Sequence, residues 1–136
     1  MTTSKQAVSV ELEVPFHDTD PLGVVWHGHY YKYMELARTA LLRSMDLDVP
    51  QIRDLGFRMY VIESRCRYAW PLRYGDRVRV SAWLRDVDNR INIAYEVFNV
   101  TENRRSARGH TILASTDADG VLLLETPDEL LRRLRA

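Results

Sequence analysis

Hydrophobic residues occupy every second position near the start of the chain: Val8, Val10, Leu12, Val14 and Phe16. Polar residues such as Ser9 and Glu11 stand between them. A period of two is typical of a strand with one buried face. We therefore expect a first strand that ends at Pro15 or soon after, with its hydrophobic side chains pointing inward.

The hydrophobic period changes near Gly28. From there, steps of three and four residues separate the hydrophobic positions Tyr30, Met34, Ala37, Leu41 and Met45. This spacing places the side chains on one face of an α-helix, and it predicts a helix that runs to about Ser44 or Met45. The following segment contains Pro50, which breaks the helix and leaves room for a short second helical turn before Gly56.

Alternation with a period of two returns after Gly56 and predicts at least four more strands. In the first of them, the side chains expected to face inward are those of Tyr60, Ile62, Ser64, Cys66 and Tyr68. In the second, they are Val78, Val80, Ala82 and Leu84. Residues 91–100 and about 107–115 supply two further strands, and an Asp-Gly turn leads into a hydrophobic run at 121–124. The run DELLRRLR after Pro127 predicts a short last helix with proline at its first position.

These elements predict an α+β fold in two layers, with a long helix packed on one face of an antiparallel sheet of five or six strands. The chain has 136 residues, which is the size of one domain, and we see no linker or internal repeat. We therefore expect a single domain over residues 1–136.

Charge and composition narrow the possible partners and location. Lys and Arg together number 19, as do Asp and Glu, so the formal net charge is zero. Nucleic acids and anionic membranes favour basic proteins, and we expect neither as a partner. No hydrophobic run approaches the roughly 20 residues that cross a bilayer, so we expect no transmembrane segment. No signal peptide is visible, and the single cysteine, Cys66, allows no intrachain disulfide. We expect a cytoplasmic protein.

Ionisable residues cluster in the loop that precedes the long helix, HDTDPLGVVWHGHY at residues 17–30. A helix that begins near His27 presents unpaired backbone N–H groups, which can hold the negative charge that develops on a carbonyl oxygen. Asp20 lies just upstream, and Gly23 lets the chain fold back toward the same point. One carboxylate beside an oxyanion site suggests acyl transfer to water. A thioester suits so small a set of groups, because thiols have a pKa of about 8.5 and leave easily.

Other roles for these loop residues compete with catalysis. An aspartate or threonine before a helix is most often a cap, so Asp18, Thr19 or Asp20 could serve the helix alone. The pair His27-x-His29 could bind a metal ion. Histidines two residues apart diverge on a helix, however, and helical metal pairs are normally four residues apart, so we expect no metal.

Several neighbouring residues have simple structural interpretations. Glu35 and Arg38 have the spacing of an ion pair on a helix surface. Cys66 lies on the apolar face of a predicted strand and is expected to be an inert core residue. The aromatic side chains near the helix start are expected in the core or at an interface, unless a pocket lies there: Trp26, Tyr30, Tyr31 and Tyr33.

The run HDTDPLGVVWHGHYYKYMELAR resembles the signature of the hotdog-fold acyl-CoA thioesterases, and more narrowly the group of 4-hydroxybenzoyl-CoA and Tol-Pal-associated thioesterases. The matching positions are Asp18-x-Asp20, Gly23-Val24-Val25, His27, Tyr30, Glu35-x-x-Arg38 and the later PLRYGD at 71–76. The resemblance implies a curved sheet wrapped around the helix. It also implies a homodimer as the minimal unit, often assembled into a homotetramer, with active sites at the dimer interface and no cofactor.

The resemblance also assigns roles to individual residues. Asp20 would be the catalytic carboxylate, acting as general base or nucleophile. The backbone amide near His27 would be the oxyanion donor, and the His27 side chain would orient the thioester or the water. Arg90 would contact the phosphates of coenzyme A. The remaining substrate-binding positions are Gly23, Val24, Trp26 and Tyr30.

The function expected from this resemblance is hydrolysis of an acyl-CoA thioester to a free acid and CoA. The signature mixes features of two branches, so short-chain, medium-chain and aromatic acyl groups all remain open. The alternative is a hotdog module that binds acyl-CoA or an acyl carrier without turnover. A hotdog dehydratase is disfavoured, because His29 is not followed by the Phe-Pro pattern of those enzymes.

Overall fold

The computed structural model describes residues 7–136, and it contains a five-stranded antiparallel sheet in the order β1-β3-β4-β5-β2. The strands are β1 (Val8–Glu13), β2 (Phe57–Tyr68), β3 (Arg77–Asp86), β4 (Ile91–Asn99) and β5 (Arg104–Asp117). The helices are α1 (His29–Arg43), α2 (Val49–Asp54) and α3 (Asp128–Leu134). The predicted α+β class is confirmed. The predicted domain range, 1–136, starts in residues 1–6, which lie outside the described residues.

Helix α1 packs its hydrophobic face against β3 and β1, as its sequence period predicts. Met34, Ala37 and Leu41 are fully buried, and they meet the inward-facing row of β3, including Val78 and Val80. Burying a Met, Leu or Val side chain contributes about 1.5–3 kcal/mol. The core therefore lies between one face of α1 and one face of the sheet, while the other sheet face is left to solvent.

A glycine lets α1 approach the sheet closely. A Cβ atom at Gly109, in β5, would lie 2.9 Å from Met34 Cε and 2.2 Å from the backbone oxygen of Arg65 in β2. No side chain fits between these groups. Gly109 thus sets the spacing between β5, the edge strand β2 and the middle of α1.

The ends of three predicted elements differ from the structure. Strand β1 ends at Glu13, and Phe16 begins a short 3-10 turn (Phe16–Asp18) in which its side chain is 72% exposed instead of facing inward. The run 121–124 is not a sixth strand, and only an isolated bridge joins Leu122 to Thr116. Pro127 is the N-cap of α3 and not its first helical residue. Proline at these positions has no N–H for strand pairing and a fixed φ, so it ends or precedes elements.

The prediction that β2 turns its hydrophobic face inward is wrong for most of its length. Tyr60 and Ile62 are each 55% exposed, and Tyr68 is 45% exposed. The reason is topological, because β2 is an edge strand, and among residues 7–136 it pairs with β5 alone. A bulge between Val61 and Glu63 also shifts the alternation midway along the strand. The alternating pattern correctly predicts a strand, but it does not show that the strand lies at the edge of the sheet.

Among residues 7–136, no helix combines the length and the hydrophobicity that crossing a bilayer requires.

Candidate active site

Asp20 begins a tight turn that folds the loop back on itself. Its backbone oxygen accepts a hydrogen bond from Gly23 N–H at 2.9 Å, and its own N–H donates to the Val24 oxygen at 2.8 Å. Gly23 has a φ of +82°, which glycine adopts without strain. The Leu22 N–H donates to Asp20 Oδ1 at 2.9 Å, which fixes the half-buried carboxylate. The fold-back predicted for Gly23 is therefore present.

The capping role considered for the loop residues is wrong. The N-cap of α1 is Gly28, and no side chain caps it. Thr19 instead donates its hydroxyl to the Phe16 oxygen at 2.7 Å, within the 3-10 turn. The polar side chains of the loop thus stabilise the loop itself and leave the start of the helix uncapped.

Asp18 is buried and anchors the loop to α1. Its carboxylate accepts hydrogen bonds from Lys32 Nζ at 2.6 Å and from the Tyr33 hydroxyl at 2.7 Å. Burial opposes ionisation of Asp18, but the bonds from Lys32 and Tyr33 outweigh it and hold its pKa below the usual value. Burial and the adjacent carboxylate raise the pKa of Tyr33, which stays a protonated donor. Asp18 therefore anchors the loop to α1. Asp20, two residues further along the chain, takes no part in these contacts.

The start of α1 leaves two backbone N–H groups free. His29 N–H donates to the Trp26 oxygen at 2.9 Å, and Tyr30 N–H donates to the His27 oxygen at 3.4 Å. The N–H groups of His27 and Gly28 make no hydrogen bond within residues 7–136. These two donors lie where the positive end of the helix dipole adds to their effect. They are the groups predicted to bind an oxyanion.

Trp26 lies against the first turn of the helix. A Cβ atom at Gly28 would lie 2.3 Å from Trp26 Cζ3, so only glycine allows the indole to cover this backbone. The Trp26 ring also stands edge-on to His29, with ring centres 5.3 Å apart. Trp26 remains 47% exposed. It therefore shields one side of the helix start from solvent.

A cavity of about 320 Å³ adjoins the helix start. Its lining residues are Val24, Val25, His27, Tyr30, Tyr68, Ala69, Trp70 and Pro71. Three of the predicted site residues, Val24, His27 and Tyr30, thus share one cavity. We call it the helix-start cavity. Asp20, Gly23 and Trp26 do not line it, although Asp20 pairs with Val24 at its border.

Tyr68 is a site residue that the sequence analysis missed. Its hydroxyl donates to the backbone oxygen of His27 at 2.8 Å, which ties the end of β2 to the segment that carries the free N–H groups. Its ring meets Tyr30 edge-on, with ring centres 4.8 Å apart. Tyr68 and His27 are 41 residues apart in the sequence, so local patterns do not predict this contact. The only indication in the sequence is the position of Tyr68 at the end of a predicted strand.

Trp70 forms a second wall that the sequence did not indicate. Its backbone oxygen accepts a hydrogen bond from Ser106 at 2.6 Å, and the Ser106 hydroxyl lies 3.3 Å from the Tyr30 hydroxyl. Burial raises the pKa of Tyr30, so this phenol is neutral. Arg104 lies over the Trp70 ring at 3.6 Å from its centre. The cavity is thus bounded by aromatic side chains held in fixed positions.

A larger cavity of about 410 Å³ lies near the beginning of β2, between α1, α2 and the sheet. Its lining includes Leu42, Ile52, Phe57, Met59, Tyr60 and the ion pair of Glu35 with Arg38. That pair was predicted, and its Nη2 and Oε2 atoms lie 3.5 Å apart. We call this the β2-start cavity. The two cavities therefore adjoin opposite ends of the same edge strand.

Arg90 is not brought near Asp20 within one chain. The loop that holds Asp20 joins the beginning of β3, where Val14 N–H donates to the Asp76 oxygen at 2.9 Å. Arg90 lies beyond the other end of β3, which is ten residues and hence about 30 Å long. Its Nη1 donates to the oxygens of Leu123 and Leu124, each at 3.4 Å. Its Nε and Nη2 atoms have no partner in the described chain.

The remaining predictions concern thiol and metal chemistry. Burial raises the pKa of the half-buried Cys66, which fits the expected unreactive thiol. Within residues 7–136, no three His, Cys, Asp or Glu side chains are grouped so that they could hold a metal ion. The arrangement near α1 instead offers a carboxylate, free N–H donors and an aromatic cavity. Such a set can bind a carbonyl compound and promote attack on it.

Comparison with known proteins places these features in a family. The family model of the thioesterase-like superfamily matches residues 14–134. The acyl-CoA thioesterase candidate YneP of Bacillus subtilis (strain 168) is 30% identical over 90 residues, which are 65% of each chain. The 1,4-dihydroxy-2-naphthoyl-CoA hydrolase of Thermosynechococcus vestitus is 30% identical over 88 residues, 63% of this chain and 60% of that one. The chain thus spans somewhat less than two thirds of these two relatives.

Solved structures agree on the fold. A 4-hydroxybenzoyl-CoA thioesterase mutant complexed with 4-hydroxybenzoyl-CoA superposes with a TM-score of 0.83 at 15% identity, covering 95% of this chain and 99% of that one. The predicted hotdog fold is thereby confirmed. The match of the family model over nearly the whole chain agrees with the resemblance seen in the loop and helix α1. This chain belongs to the thioesterase-like superfamily.

Proposed function

We propose that this protein hydrolyses an acyl-CoA thioester to a free carboxylic acid and CoA. The observation that carries the proposal is the pair of free N–H groups at His27 and Gly28, beside a cavity and at the end of the same loop that holds the Asp20 carboxylate. These donors would bind the thioester oxygen as it becomes negatively charged. Family membership supports the same reaction class.

In the proposed mechanism, Asp20 acts on one face of the planar thioester carbonyl. As a general base it would take a proton from water while the water oxygen bonds to the carbonyl carbon. The C–S bond would then break, and the thiolate of CoA would leave and take up a proton. As a nucleophile, Asp20 would attack the carbonyl carbon and expel the thiolate of CoA, and water would then hydrolyse the resulting mixed anhydride to the free acid and the Asp20 carboxylate. The Leu22 N–H on Oδ1 leaves Oδ2 available for either role.

His27 contributes through its backbone and through its ring. Its N–H would be an oxyanion donor, and its ring, which lines the helix-start cavity, would orient the thioester or the attacking water. Val24 and Tyr30 would contact the acyl group as walls of that cavity. Gly23 would act through the turn that places Asp20, and Trp26 by covering the helix start.

We further propose that two copies pair through their β2 edges and that the resulting homodimer forms the complete site. An unpaired edge strand with exposed Tyr60 and Ile62 supports such pairing. Antiparallel pairing of β2 with its copy would bring the end of one strand beside the beginning of the other. The helix-start cavity would then face the β2-start cavity of the partner subunit. Two such dimers could form a homotetramer.

The composite site would favour acyl groups of limited size. The helix-start cavity is about 320 Å³ and aromatic in character, which suits a short-chain, medium-chain or aromatic acyl group. A match to a relative named for a naphthoyl-CoA substrate supports the aromatic option. The acyl group would lie in the helix-start cavity, against Tyr30.

Arg90 is proposed as a contact for CoA phosphates across a subunit boundary. Its Nη1 is occupied by backbone oxygens, so Nε and Nη2 would make the contact. Because Arg90 lies far along the sheet from Asp20 of its own chain, it would serve the site of a neighbouring subunit. The presence of one cysteine supports a cytoplasmic location, where CoA esters are available.

The test is release of free thiol from a panel of acyl-CoA esters with aliphatic and aromatic acyl groups. We expect Asp20→Asn and Asp20→Ala to lower kcat by about 100-fold or more, while the oligomer stays intact. Asp119→Asn, an exposed carboxylate in the turn after β5, is the matched control and should keep full activity. Full turnover in the Asp20 variants would overturn the mechanism. Tight binding of acyl-CoA without hydrolysis of any ester would identify a binding module instead.

A further inference from the structure

A groove rich in arginine crosses the sheet face that is turned away from α1. It has a volume of about 410 Å³ and is lined by Arg65, Arg67, Trp83, Arg85, Tyr95, Glu96, Arg105, Arg108, Gly109 and His110. Strand register explains why these residues meet. Arg67 pairs with Arg108, and Arg108 pairs with Glu96, so their side chains share one row across three strands. We call this feature the outer-face groove.

The positive charge of the groove is not neutralised within the described chain. Five arginines and one glutamate line it, which leaves four positive charges when His110 is neutral. Glu96 is already engaged by Arg105 at 3.2 Å, and His110 lies 3.0 Å from Glu63 at the rim. Arg65, Arg67, Arg85 and Arg108 have no carboxylate partner among residues 7–136. Four unpaired guanidinium groups around one concavity repel one another unless an anion binds there.

We propose that the outer-face groove binds the phosphate groups of a nucleotide. Guanidinium groups form paired hydrogen bonds with phosphate oxygens, and several arginines around one concavity are typical of sites for multiply charged phosphates. A nucleoside diphosphate or a more highly phosphorylated nucleotide matches the unbalanced charge. The formal net charge of zero gives no indication of this site, because the carboxylates that balance these arginines lie elsewhere in the chain.

The shape of the groove favours a nucleotide over a simple inorganic anion. A volume of about 410 Å³ exceeds what a diphosphate alone needs and falls in the range of small-molecule sites. Trp83 supplies an aromatic surface within the groove, on which a base can stack. The groove is concave and limited to one face of four strands, which suits a small ligand better than a polymer.

The outer-face groove is separate from both cavities on the helix side of the sheet. Arg67 and Tyr68 are consecutive in β2, so their side chains point to opposite faces. Arg90 does not line the groove. The proposed pairing at the β2 edge extends the sheet in its own plane, so the outer face stays open in the dimer. The groove can therefore be occupied while the helix-start cavity is empty.

The test is calorimetric titration of the full chain with ADP, with inorganic pyrophosphate and with adenosine at low salt. We expect ADP to bind more tightly than pyrophosphate, adenosine to bind least, and added KCl to weaken the ADP affinity. Arg65→Gln combined with Arg108→Gln should weaken ADP binding by about tenfold or more. Arg65 and Arg108 are both exposed, so the double variant should fold, and thermal unfolding will verify this.

The matched control removes two arginines elsewhere. Arg132→Gln combined with Arg135→Gln lowers the charge equally on the C-terminal helix and its end, and it should leave ADP binding unchanged. Equal weakening in both double variants would show general charge attraction and overturn the proposal. Absence of ADP binding at millimolar concentration would also overturn it, as would binding to anionic vesicles or nucleic acid in preference to ADP.

Competition with CoA distinguishes two sources of the nucleotide. If the nucleotide portion of the substrate occupies the groove, ADP will compete with CoA, and the Arg65/Arg108 double variant will raise KM. If a separate nucleotide binds, the double variant will leave KM measured without nucleotide unchanged, whether or not free CoA, which itself carries an ADP group, displaces ADP. Both results support a nucleotide site. ADP binding is measured without turnover. The result therefore supports or overturns the nucleotide site even if the protein hydrolyses no thioester.

Discussion

The hydroxyl group of Tyr68 donates a hydrogen bond of 2.8 Å to the backbone oxygen of His27. This bond joins the last residue of the edge strand to the segment that presents the free N–H groups. Those donors can stabilise an oxyanion only if their direction is fixed before the reaction. Tyr68 thereby couples the exposed strand β2 to the geometry of the candidate site.

We expect Tyr68→Phe to lower kcat by about three- to tenfold, which corresponds to one ordinary hydrogen bond of about 0.5–1.5 kcal/mol. KM should change little, because the ring stays in place against Tyr30. Steady-state release of thiol measures both constants. Tyr74→Phe is the control, since Tyr74 is exposed and its hydroxyl has no partner among residues 7–136. An unchanged kcat in Tyr68→Phe would show that the bond does not position the N–H donors.

Substitutions of the two aspartates in the loop should have different effects on stability. Asp18→Asn leaves Lys32 without its buried carboxylate, and we expect it to lower the free energy of unfolding by about 1–3 kcal/mol. Asp20→Asn should change unfolding by less than about 0.5 kcal/mol, since Asp20 is half-buried and bonded only within its turn. Urea denaturation measures both. If Asp20→Asn lowered the free energy of unfolding more than Asp18→Asn does, Asp20 and not Asp18 would be the residue that anchors the loop.

The contribution of Asp18 should depend on pH. Its pKa is lowered in the folded protein, so its ionised form stabilises the fold above the unfolded pKa of about 3.9. That stabilisation is lost as the pH falls through the lower folded pKa, where the carboxyl takes up a proton. The difference in unfolding free energy between wild type and Asp18→Asn should shrink as the pH falls below about 4. A difference that grows toward acid would contradict the assignment.

Two glycines should respond differently to alanine. At Gly109 the new Cβ would meet a backbone oxygen of β2, which cannot move without the strand, so we expect a loss of about 2–3 kcal/mol or more. At Gly28 it would meet the far end of the half-exposed Trp26 side chain, which can turn away at a cost nearer 1 kcal/mol. Thermal and urea unfolding compare the two. In the double variant Trp26→Ala with Gly28→Ala, the cost of the glycine change should largely disappear.

Charge placed on the β2 edge should separate the proposed dimer. Ile62 is 55% exposed, and we expect Ile62→Glu to give a monomer, because two carboxylates would meet across the pairing edge. Thiol release should fall with it, since each site would lose its partner half. Leu124→Glu is the control, because Leu124 is 80% exposed and lies outside the strands. Light scattering measures the mass. An intact dimer in Ile62→Glu would place the interface elsewhere.

Patterns that repeat along a few turns of chain were sufficient to predict much of the fold. The helical spacing of Met34, Ala37 and Leu41 predicted the buried face of α1, and the alternation around Val80 predicted the buried row of β3. The resemblance in the loop correctly indicates the hotdog fold and the thioesterase-like superfamily. Asp20 and His27 were identified as candidates in the same way, and their catalytic roles stay predictions. These inferences succeed because a local period depends on backbone geometry, which each segment carries with it.

Tertiary structure decided the features that depend on which segments become neighbours. Alternation in β2 predicted a strand, but only the strand order made it an edge and left Ile62 exposed. Asp18 and Asp20 look equivalent in sequence, yet burial beside Lys32 and Tyr33 makes one an anchor and leaves the other available. Tyr68 meets His27, and Arg67 meets Arg108, across long stretches of chain. The sequence by itself determined elements and motifs, because these follow from nearby residues. The assembly of the site was decided by packing, because contacts between distant residues depend on the whole fold.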